Sequence, residues 1–136
     1  MPPLSPFAFV SSWVRSWGCI MRILHAEDNE DTRTLVAFLL QAEGWETVSV
    51  ENSKAALTLA SSGGFDLYLI DNLTDGDTGN NLCADLRSID RHTPILFYSG
   101  AILDVESVAA TGAQGYIEKP CSPEALVEAI SKLTRR

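Results

Sequence analysis

From Met21 onward the chain alternates short apolar runs with longer stretches whose apolar residues recur at helical spacing. MRILHAE is a brief apolar run ending in acids, and it predicts a strand. DTRTLVAFLLQAEG has a helical rhythm, with Leu35, Phe38, Leu39 and Ala42 on one stripe and Gly44 as its stop. WETVSV alternates as a half-buried or edge strand does. SKAALTLASSGG predicts a helix capped by Ser53 and halted by Gly63 and Gly64. DLYLI is apolar without alternation, as expected for a central parallel strand covered on both faces.

The second half repeats the pattern. NNLCADLRSID reads as a helix, and Pro94 opens the strand PILFYS. DVESVAATG is a short helix closed by Gly112, and GYIEKP a short strand stopped by Pro120. Ser122 caps SPEALVEAISKL, with Pro123 at the first helical position and Leu126, Ile130 and Leu133 facing the core. Five strands alternating with five helices predict an α/β fold with an open, five-stranded parallel sheet, doubly wound with helices on both faces. In the order 2-1-3-4-5, strands one and three are neighbours where the winding reverses, and ligands bind outside their carboxyl ends.

Residues 1–20 differ in character: they hold three of the six prolines, two of the three tryptophans and no acid. They lack the basic start and uninterrupted apolar centre of a secretory signal, and no stretch of the chain is apolar enough to span a bilayer. Residues 1–20 are expected to form a disordered or loosely packed extension, and residues 21–136 one domain with no further domain after its last helix. At 136 residues, one core is the natural reading. A net charge of −8 argues against a nucleic-acid surface, and no membrane partner is expected. Cys19, Cys83 and Cys121 make no CxxC pair, so a reducing, cytoplasmic setting is the default. His25 and His92 read as an ordinary strand and loop residue.

The predicted winding gathers acids. Asp71 ends strand three, and Glu27 and Asp28 end strand one, which brings three carboxylates to one crevice. Carboxylates so close must either take up a proton or share a cation. An all-oxygen donor set in a small open site suits Mg2+. Ser99 ends strand four with a hydroxyl donor, and Lys119 ends strand five with a point charge for a phosphoryl oxygen. A bound Mg2+ beside a carboxylate, in a cleft suited to phosphate, is the apparatus of phosphoryl transfer.

HAEDNED, LIDNLTDGDTG, FYSG and GYIEKP, spaced as they are, resemble the receiver domain of two-component response regulators, of the stand-alone, single-domain type. The resemblance runs from Met21 to about Leu133 and implies a flavodoxin-like receiver fold. It implies that Asp71 accepts a phosphoryl group from a phosphohistidine on a sensor histidine kinase or a histidine phosphotransfer protein. Asp28, Asp71 and the backbone carbonyl of Leu73 would hold Mg2+, with Glu27 acting through water. Ser99 and Lys119 would hold the phosphoryl oxygens, and Lys119–Pro120 would be a cis peptide. Tyr116 matches the switch aromatic, which turns inward behind Ser99 and reshapes a protein-binding surface for a downstream protein target. The chain would be a signalling phosphoacceptor and not an enzyme acting on other substrates.

Some positions depart from the family. Thr74-Asp75 replaces the usual Met-Pro pair after the phosphoacceptor, the interval from Ser99 to Lys119 is short, and Cys121 replaces a common aromatic. Leu73 and Ala101, which would flank the phosphoryl group, are apolar and cannot orient an attacking water, so slow self-dephosphorylation is expected. A calcium loop would need an oxygen donor where Leu73 stands and a bidentate Glu where Leu82 stands. An aspartyl phosphatase would need a general acid in place of Leu73. The remaining rival is a receiver-like binding module that works without phosphorylation; its mark would be a missing acid, nucleophile or lysine, and all are present.

Overall fold

The computed structural model describes residues 20–70, 79–99, 112–119 and 121–134. Its strands are β1 (Arg22–Ala26), β2 (Glu46–Val50), β3 (Leu67–Ile70), β4 (Ile95–Ser99) and β5 (Gly115–Glu118). Four helices lie among the described residues: α1 (Glu30–Ala42), α2 (Ser53–Ser61), α3 (Gly79–Ile89) and α4 (Pro123–Thr134). The helix expected over residues 104–112 lies outside the described residues except for Gly112, whose φ of +90° suits a helix stop.

The strands form one parallel sheet in the order β2-β1-β3-β4-β5, as the alternation of elements predicts. All four residues of β3 are buried, because alternate side chains enter opposite layers. Leu67 and Leu69 pack with Val36 of α1 and Leu126 and Ile130 of α4. Tyr68 and Ile70 pack with Ala56 of α2 and with Leu82 and Leu86 of α3. Each such Leu or Ile contributes about 1.5–3 kcal/mol through burial, so both layers are held by the apolar central strands. The outer strand β2 is half-buried throughout, as its alternating sequence anticipates.

Two local expectations need correction. The inward stripe of α1 is Val36 and Leu40, whereas Leu35 and Phe38 are 57% and 68% exposed and Ala42 also faces out. The run LVAFLL carries apolar residues around much of the helix, so periodicity left its inward side open; packing on Ile23, Leu67 and Leu69 selects the Val36–Leu40 side. The cap of α2 is Asn52 and not Ser53: its side chain accepts a hydrogen bond from the Ala55 N–H at 2.8 Å, and Ser53 becomes a buried helical residue. The other ends agree with expectation. Gly44 follows α1 at φ +83°, and the Ser122 hydroxyl accepts from the Ala125 N–H at the start of α4.

At the amino ends of β3 and β4 the α3–β4 turn is tied by Asp90. Its carboxylate accepts hydrogen bonds from the Tyr68 and Thr93 hydroxyls and from the backbone N–H groups of His92 and Thr93. Burial alone would raise the Asp90 carboxyl, but these donors outweigh it and hold the group well below the ordinary carboxylate range. Burial first, and then the Asp90 hydrogen bond, push the Tyr68 hydroxyl upward. A folded-state pKa below the unfolded value of roughly 3.9 contributes stability that is complete above that value. It is lost as pH falls through the folded value. Asp90→Asn is therefore expected to flatten the decline in stability below about pH 4, measured by urea unfolding across pH. An unchanged acid slope would show that Asp90 carries none of it.

Candidate functional site

The sheet register places the carboxyl ends of β1 and β3 side by side, since Ala26 pairs with both Val50 and Ile70. Glu27 extends the strand by one step through its N–H, which donates to the Val50 carbonyl at 3.0 Å. Its side chain is 1% exposed, and the two-residue alternation of a strand puts it on the side of Ile23, which packs in the α1/α4 layer. A carboxylate so buried stays ionised only with donors around it. Lys119 supplies one, its Nζ lying 2.7 Å from Glu27 Oε1; the Asn29 N–H supplies another to Oε2 at 3.3 Å.

Lys119 reaches Glu27 from the residue after β5, crossing the end of β4 with its ammonium 4.9 Å from the centre of the Tyr98 ring. Residues 92 positions apart thus form one polar centre at the carboxyl edge of the sheet. Asp28 follows Glu27 and is half-buried at the same edge. Asn29 caps α1 by accepting from the Thr32 N–H at 2.9 Å, and Glu30 and Asp31 lie in the first turn, where the helix dipole favours anions. Arg33, one turn later, donates from Nη1 back to the Glu27 carbonyl at 3.0 Å and to the Asp28 carbonyl at 3.4 Å.

Of the residues singled out from the sequence, Glu27, Asp28 and Lys119 are brought to this edge. The backbone of Ser99 ends β4 beside Glu118, but the position of its hydroxyl lies outside the described residues. Asp71, Leu73, Thr74, Asp75, Asp77, Ala101 and Pro120 also lie outside them. Tyr116 is half-buried in β5, and its hydroxyl donates to the exposed Glu118 carboxylate at 2.7 Å. Cys121 is half-buried against the α1/α4 layer, in keeping with a packed small thiol.

Sequence reasoning missed four contributors: Asn29, Arg33, Tyr98 and Glu118. The Asn29 cap had a readable signal, an Asn directly before an acidic helical turn. Glu118 had one too, since residues two apart on a strand share a face. For Arg33 and Tyr98 the signal is tertiary, because only the packed edge brings them to the acids.

Residues 23–131 match the response regulator receiver domain family. The chain belongs to that family. This receiver domain is 31% identical over 116 residues to the sensory transduction protein RegX3 of Mycobacterium tuberculosis, a match covering 84% of the chain and 51% of RegX3. It therefore spans about half the length of the curated relatives it matches. The chemotaxis protein CheY4 of Vibrio cholerae superposes with a TM-score of 0.78 at 26% identity, over 85% of this chain and 99% of that one. The response regulator TrrA of Thermotoga maritima, solved with Mg2+ and BeF, gives a TM-score of 0.77 at 27% identity, over 83% and 98% of the two chains. TrrA has also been crystallised in complex with the histidine kinase ThkA. Among the described residues, no helix of this receiver domain is long and apolar enough to cross a membrane.

Proposed function

We propose that this receiver domain is a phosphoacceptor switch in which Asp71 takes a phosphoryl group from a phosphohistidine donor with the help of Mg2+. The observation that carries the reading is the Glu27–Lys119 pair, 2.7 Å apart, at the carboxyl edge where β1 and β3 meet. Ile70, the last residue of β3, pairs with Ala26, so β3 ends beside the strand that Glu27 and Asp28 follow, and Asp71 is the next residue in sequence. An oxygen-only donor set at a strand edge fits a hard divalent cation, and Asp28 with Asp71 would hold it, joined by the Leu73 carbonyl, with Glu27 acting through water. When bound, Mg2+ supplies charge neutralisation for the incoming phosphoryl oxygens.

In the transfer, an Asp71 carboxylate oxygen attacks phosphorus and the phosphorus–nitrogen bond to the donor imidazole breaks; that imidazole leaves and takes up a proton. Lys119 meets the developing charge from the β5 side, and Ser99 from the end of β4. The acyl phosphate adds acceptor oxygens that draw Ser99 inward, and Tyr116 then leaves Glu118 to follow it. The surface so altered would be that of the helix expected over residues 104–112 together with β5 and α4, and it would engage a separate protein target. A histidine kinase or phosphotransfer protein is the proposed donor, as TrrA's complex with ThkA suggests by analogy. We place this receiver unit at residues 21–136 and its setting in the cytoplasm.

The rival reading is a contact module that is never phosphorylated. The two part on one measurement. Incubation with acetyl phosphate and Mg2+ is expected to give a single phosphoryl adduct by intact mass, lost when the metal is chelated. Absence of any adduct with metal present would favour the contact module.

A further inference from the structure

We infer that Arg33 is a positioning residue for the divalent cation site, an inference that rests on the phosphoacceptor reading. One side-chain nitrogen, Nη1, donates to the carbonyls of both Glu27 and Asp28, at 3.0 and 3.4 Å. Those residues are the two acids of the β1–α1 turn. Their carbonyls lie past the last residue of β1 and before the Asn29 cap, where the polypeptide changes direction. Backbone at such a point needs external partners, and here the partner is a guanidinium from the following helix.

The location of that cation is itself informative. Arg33 is the fourth residue of α1, near the helix end where the dipole disfavours positive charge. Helical side chains lean toward the amino end, so Arg33 projects back over the turn and not along the helix. Two carbonyl acceptors offset the unfavourable end, and holding both fixes the peptides on either side of Asp28. Those two peptides set the direction in which the Asp28 side chain leaves the backbone. Glu27 is also tied by Lys119 and Asn29, and Arg33 holds the carbonyl of Asp28, the direct ligand in the proposed site. The guanidinium acts through the backbone and would not touch the metal.

The sign of a metal-affinity change separates this role from simple electrostatics. As a nearby positive charge alone, Arg33 would repel Mg2+, and its neutralisation would tighten binding. As a positioning residue, its loss would weaken binding by about tenfold, the lower range for partners that orient ligands. The test is calorimetric titration of the full chain with Mg2+ at fixed ionic strength, comparing wild type, R33M, R33Q and Asp28→Asn. The expected result is a Kd raised about tenfold in R33M, a smaller rise in R33Q, which keeps one amide donor, and no binding in Asp28→Asn. A Kd unchanged or lowered in both Arg33 variants, while wild type binds, overturns the role of Arg33 and leaves the phosphoacceptor reading intact. If wild type binds no Mg2+, both fall together. Should R33M fail to fold by circular dichroism, R33Q alone decides by the direction of its change.

Discussion

Asp71→Asn is expected to eliminate the phosphoryl adduct formed with acetyl phosphate and Mg2+, while leaving the fold at least as stable. An amide oxygen is a far weaker nucleophile than a carboxylate. Glu27 has one oxygen on Lys119 and the other on the Asn29 N–H, and is 1% exposed, so it is committed to holding the edge together. Asp28 belongs to the turn whose carbonyls Arg33 fastens. Removing one of the three acids proposed to share the site would also relieve like-charge repulsion, so the urea midpoint without metal should hold or rise. Intact mass after phosphodonor treatment reads the first effect and urea unfolding the second. An adduct of undiminished yield on the Asn variant would move the phosphoacceptor to another residue.

The other large effect is expected from Lys119→Met. The substitution keeps the aliphatic stem against Tyr98 and deletes the charge that Glu27 faces. Breaking one side of a buried pair leaves an uncompensated carboxylate, and the loss should be about 3 kcal/mol. That lies at the lower end for such pairs because the Lys119 side chain is 22% exposed and the Asn29 N–H remains. Mg2+ should restore part of the loss, because a divalent cation supplies positive charge near the same acids. Adding Glu27→Gln should restore part of it without metal, since the orphaned charge is then gone, and the double-mutant cycle measures the coupling. These comparisons need urea titrations with and without Mg2+. A loss below about 1 kcal/mol would place the pair with weak surface bridges. Phosphorylation of Lys119→Met should also slow, since no cation then meets the phosphoryl oxygens from the β5 side.

Much of this was legible in the linear chain. The alternation of strand and helix patterns, the unbroken apolarity of DLYLI and the glycine stops sufficed to wind the sheet in its observed order. Those signals are local: they report which residues avoid water and where the backbone turns. Glu27, Asp28 and Lys119 were readable for a related reason, because each comes directly after a strand and a parallel sheet collects such positions on one edge. Family resemblance added the chemistry proposed for Asp71, which no spacing rule supplies by itself.

The misreadings share a cause. In LVAFLL nearly every position is apolar, so the inward face of α1 had no local mark, and the sheet beneath it selected Val36 and Leu40 over Leu35 and Phe38. Asn52 and Ser53 are both competent caps, and the one with extended backbone, Asn52, took the place. Sequence by itself determined the element order, the doubly wound sheet and the strand ends that carry polar groups. Tertiary structure alone decided that Lys119 is bound to Glu27, that Tyr98 underlies the lysine and that Arg33 turns back onto the acids' carbonyls. Such pairings depend on directions and distances between segments far apart in the chain, and those exist only once the apolar layers have closed.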